Sequence, residues 1–231
     1  MTIYNQRGSV FFYILIAIVL FAALSYALSQ NSRSSSTVLT VQQTKVSAQN
    51  IIEQGDVVSN AVQKLFLRNI RDIEISFENN IVNGYELADC ADSFCKVFDI
   101  NGGSLNWTHP PENVNTGENW IYTGEVPIAD NGFNLRNDIT MVLPNVSQSI
   151  CQEINFKLGL VSSNTDPVLS SADSSITITK LSTANPISGS SNYINGAGID
   201  GNNSICVQIN SVSGDHIGTN QYYYIHTLYA G

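Results

Sequence analysis

Apolar residues crowd the start of the chain and then recur in two different rhythms. From Ser9 to Leu28 no side chain is charged, and 12 of the 20 residues are Leu, Ile, Val or Phe. At about 1.5 Å per residue a helix of that length reaches roughly 30 Å, the thickness of a bilayer's hydrocarbon core. Those 12 side chains favour insertion by roughly 4–7 kcal/mol, so the run predicts a transmembrane helix. After a serine-rich patch, apolar residues return at Val38, Val41, Val46, Ile51, Ile52, Val58, Ala61, Val62, Leu65 and Phe66. The later part follows the i, i+3, i+4, i+7 spacing of an amphipathic helix. Gly55 weakens that helix by roughly 1 kcal/mol relative to alanine and marks either a bend or close packing.

Beyond Asn69 the rhythm shortens to β-prone runs separated by Asn, Gly, Ser and Thr. Strands are predicted over 72–77, 96–100, 104–108, 119–126, 138–143, 175–181, 204–210 and 221–229. One helix interrupts them: Val146, Ile150, Ile154 and Leu158 step by four residues, and Gly159 supplies a C-terminal cap. The segments 160–174 and 182–202 read as exposed loops. The expected class is α+β: a long N-terminal helix, transmembrane then amphipathic, followed by a mainly antiparallel β head with one internal helix. The divisions fall at 1–8, 9–30, 31–69 and 70–231.

Charge sharpens this division. Residues 1–52 carry +3, whereas the remainder holds 7 basic and 19 acidic side chains, or −12, within a formal net charge of −9. Phosphate binding needs clustered Lys and Arg, so the acidic outer part excludes nucleic acid as a partner. Four cysteines behind a targeting-type segment point to an oxidising compartment and two disulfides. Of three pairings, Cys90–Cys95 and Cys151–Cys206 are favoured: one closes a short local loop, the other ties the internal helix to a late strand.

Three fates are open to the apolar run. It can be a secretory signal cut near Ser25-Tyr26-Ala27, a plain anchor, or a helix retained after removal of a short leader ending in Arg7-Gly8. On that last pattern, Gln6 to about Asn69 resembles the type IV pilin and type II secretion pseudopilin superfamily. The resemblance implies that Gly8 and Ser9 flank the cut made by a prepilin peptidase. It further implies a single-pass protein of the bacterial inner membrane, with its head in the periplasm or on an extracellular filament. Its partners would be the membrane and other pilin-like subunits, joined through the N-terminal helix. Where most members carry a glutamate five residues into the mature chain, this sequence has Tyr13. A carboxylate in lipid is expensive unless paired, so its absence removes a registration device and implies a minor subunit. The alternative is an anchored or secreted binding module with no filament role.

Catalytic and ligand signals are sparse, and no enzyme is expected. The three histidines, His109, His216 and His226, lack a nucleophile-elbow context. "GAGIDG" (Gly196 to Gly201) matches a dinucleotide fingerprint in letters only, since a loop precedes it and a strand follows it. No cofactor is implied. Calcium stays open at Asp130, Asp138 and Asp200, which place carboxylates in Asn- and Gly-rich loops, although turn geometry accounts for the same residues.

Overall fold

Helix α1 spans Arg7–Leu67 in a computed structural model of the chain. The structure describes residues 7–129, 138–172, 175–187 and 193–230, with the backbone alone over 7–11 and 24–39. The transmembrane expectation is overturned. Among the described residues no helix is long and apolar enough to cross a membrane. In the first part of α1 the side chains described are those of residues 12–23. The single-pass inner-membrane location falls with the same finding. The α+β class stands in its coarser form, as helices on a curled sheet.

Two compact units divide the chain, Met1–Gln43 and Thr44–Gly231. In the second unit, α1 buries Ala48, Ile51, Gly55, Val58, Ala61, Val62 and Leu65. This stripe keeps the three-and-four spacing read from the sequence, but it starts later. Val41 and Val46 are exposed, and packing begins at Ala48. At Gly55 the helix runs on without interruption, so of the two readings close packing is the one observed.

The sheet is mainly antiparallel, as expected, and gains a short parallel edge that the sequence did not suggest. Strands β1 (Ile121–Thr123), β2 (Ile139–Leu143), β6 (Gly218–Tyr229) and β5 (Ser204–Gly214) pair antiparallel in that spatial order. Along the far edge of β5, β3 (Leu169–Ser170) and β4 (Ile176–Ile178) pair parallel to it. Side chains of a strand alternate between faces, and here both faces are covered. Tyr224 and Leu228 of β6, Met141 of β2 and Cys206 of β5 join α1 in one core. Tyr223, Ile225, Val142, Ile205 and Val207 point into a second core with Ile176, Ile178, Ile194 and Ile199. The segment 182–202 is therefore more than an exposed loop, because Ile194 and Ile199 are fully buried lids on the far face.

Helix α2 (Gln148–Lys157) forms where its apolar spacing placed it, and Gly159 follows in the left-handed conformation at φ 74°. The Gly159 N–H donates to Phe156 O, and the Leu160 N–H to Asn155 O, which closes the helix end. Three expected strands are absent. Residues 72–74 form a 3-10 turn, and Ser76 meets Lys96 in an isolated bridge. Ile75, Ser76 and Phe77 are all buried, so this segment goes to the core without a neighbouring ladder.

Candidate functional site

Two disulfides are formed, Cys90–Cys95 and Cys151–Cys206. The second anchors α2 beside β5. Asn155, one helical turn further on, donates its amide to Cys206 O at 2.7 Å and accepts the Cys206 N–H at 2.9 Å. A side chain thus pairs with the strand as a neighbouring backbone would. Sequence reasoning missed it, because a lone Asn in an amphipathic helix carries no signal of its partner.

Among the described residues, a long run of exposed apolar side chains lies on α1. Phe12, Tyr13, Ile14, Leu15, Ile16, Ile18, Val19, Leu20 and Phe21 are all exposed, Tyr13 by 68% and Phe21 by 73%. At 100° per residue these positions cover every side of the helix, and a helix apolar all round is stable only when covered. Burying each such side chain fully is worth about 1.5–3 kcal/mol, so the segment has a strong drive to find apolar surroundings. Tyr13 is one of the most exposed of the group. The proposed cut between Gly8 and Ser9 lies outside the residues whose side chains are described.

No family model, curated protein or solved structure matches this chain. Function therefore has to be argued from its own residues.

Each histidine meets a different side chain. His109 Nδ1 meets Asn119 Oδ1 at 2.9 Å, and His216 Nε2 meets Gln221 Oε1 at 3.1 Å. His226 Nδ1 lies 3.1 Å from the Tyr224 hydroxyl, which in turn accepts from Ser204 Oγ at 3.0 Å. With Ser204 donating, the Tyr224 proton is left for Nδ1, and the imidazole carries its own proton on Nε2. That nitrogen sits 4.0 Å from Asp56 Oδ1. Burial holds the His226 pKa below its ordinary value, only partly opposed by the Asp56 carboxylate. The group is packed between α1 and β6, with His226 only 6% exposed, and ties helix to sheet.

The calcium candidates fall in three different settings. Asp130 lies outside the described residues, Asp138 is nine-tenths buried, and Asp200 accepts the Gly196 N–H at 3.1 Å. Among the described residues no group of three or more His, Cys, Asp or Glu is placed to hold a metal ion. Gly196–Gly201 forms a self-bonded turn leading into β5, with no helix N-terminus to receive a pyrophosphate.

Proposed function

We propose that the chain is a structural subunit of pilin-like construction, a minor one, which joins other such subunits through the first part of α1. The observation that carries this reading is the all-round exposure of large apolar side chains over residues 12–21. Helices of the same kind in other subunits are the fitting cover, since a rod apolar on every side can be surrounded by several neighbours at once. Removal of residues 1–8 by a prepilin peptidase would present Ser9 as the new amino terminus. Without a carboxylate at Tyr13 to pair with that terminus, packing between helices would supply the cohesion.

Sedimentation of the full chain tests this directly. The chain should associate in a concentration-dependent manner, and Ile16→Lys with Leu20→Lys should shift it to monomer, because each buried lysine costs roughly 2.5–3.5 kcal/mol in an apolar setting. Mass spectrometry of the mature protein should find a start at Ser9. A chain that is monomeric at all concentrations, or a mature form beginning at Leu28, would end the proposal.

A further inference from the structure

A cleft of about 570 Å³ opens on the second unit, between residues 78–81 and the turn 96–107. Its size is that of a small-molecule site. Its floor is aromatic. Phe98 is half-buried, with its ring 5.0 Å from that of Trp107 and 5.5 Å from that of Tyr122, so part of the ring packs inward and the remainder lines the cleft.

The walls are held before any ligand arrives. Asn79 accepts the N–H groups of Ile81 and Val82 and donates to Phe77 O, which fixes one side. Arg68, just past the end of α1, donates to Asn101 O at 2.7 Å and Gly102 O at 3.0 Å, which fixes the other. Gly103 packs so closely that a Cβ there would lie 2.3 Å from Val97 O. A site of this kind loses little freedom on binding.

The free polar groups define the ligand. Asn80 and Asn106 are exposed, and neither makes a protein hydrogen bond among the described residues. Asp99 gives one carboxylate oxygen to the Asn101 N–H and keeps the other free. Lys96 is committed to Glu78 at 2.9 Å. Among the described residues lining the cleft no cation is therefore left for a phosphate or carboxylate, and Asp99 leaves it negative. A purely apolar ligand would make no use of these amides or of the free carboxylate oxygen. A pyranose ring satisfies both requirements, with an apolar C–H face for an aromatic floor and hydroxyls for amides and a carboxylate.

We propose that this cleft binds a neutral sugar, its ring against Phe98 and its hydroxyls on Asn80, Asn106 and Asp99. The site lies within the second unit, so the proposal stands apart from association through the N-terminal part of α1.

The full chain is titrated with glucose, galactose, mannose, N-acetylglucosamine and their disaccharides, up to ~50 mM, and with sialyllactose as an anionic comparison. Binding is read by saturation-transfer NMR and by tryptophan fluorescence, to which Trp107 in the cleft wall should respond. At least one neutral sugar should bind, and more tightly than sialyllactose. Asn80→Ala combined with Asn106→Ala should weaken it roughly 5- to 100-fold, the loss of two ordinary hydrogen bonds. Both residues are exposed and bond to nothing else in the fold, so circular dichroism should be unchanged. Absence of any neutral-sugar binding, or equal binding by the double variant, would overturn the assignment. Sedimentation reads the helix association separately, so either proposal can fail without the other.

Discussion

His226 shows how far one side chain's chemistry depends on its burial. Its imidazole faces Tyr224 and Ser204 on the sheet and Asp56 on α1. Burial disfavours the charged form and outweighs the attraction of Asp56, so the folded pKa lies below the ordinary value. In the unfolded chain the same ring takes up a proton near pH 6.5. As pH falls below that value the unfolded state binds the proton first, and stability declines until the folded pKa is passed. Above the unfolded value the contribution is fully retained. Urea unfolding at pH 5 and pH 7.5 should therefore show lower stability at pH 5. In His226→Gln the difference between the two pH values should shrink, whereas an unchanged difference would mean that other groups carry the dependence.

At the scale of elements, the contact of α1 with the sheet turns on Gly55. A Cβ built there would sit 2.7 Å from His226 Nδ1 and 2.9 Å from the Tyr224 hydroxyl. Both partners are buried and hydrogen-bonded to each other, so neither can step aside freely. Alanine would add about 1 kcal/mol of helix propensity but would overpack the contact by typically 1–3 kcal/mol. Gly55→Ala should therefore be net destabilising by up to about 2 kcal/mol in chemical denaturation, and a stabilised variant would refute the close-packing account. The residue type that looked like a weakness in a helix is what lets the helix approach β6.

Over the whole molecule, burial is concentrated in Thr44–Gly231, where one sheet carries α1 on one face and a loop-built apolar layer on the other. The Cys151–Cys206 bond closes a separation of 55 residues across this arrangement. On the loop-entropy model that closure is worth about 4 kcal/mol, against about 2 kcal/mol for Cys90–Cys95. Replacing Cys151 and Cys206 together by Ala should lower the thermal midpoint more than the same change at Cys90 and Cys95, as calorimetry can read. Equal shifts would show that the long loop is already restrained in the unfolded chain. The exposed apolar stretch at 12–21 belongs to the other unit. Lysine there should change association while leaving the thermal midpoint of the second unit in place.

Periodicity alone was enough to locate the stripe from Ile51 to Leu65, α2 with its Gly159 cap, and the strands expected at 138–143, 204–210 and 221–229, the last two of which extend further in the structure. Each of these is long or strongly patterned, so local propensity and burial agree. The cysteine pairs were likewise legible, because one pair is short-range and the other joins two confidently placed elements. Sequence alone read the first helix as a membrane span, whereas among the described residues no helix is long and apolar enough to cross one. The mainly antiparallel sheet was legible, but its parallel edge was not, because pairing of β3 and β4 with β5 depends on partners distant in sequence. The bond of Asn155 to Cys206, the seat of Gly55 on His226 and the cleft around Phe98 were set by the tertiary structure. Each joins groups that no local spacing relates, and it is proximity in the folded chain that gives those side chains their chemistry.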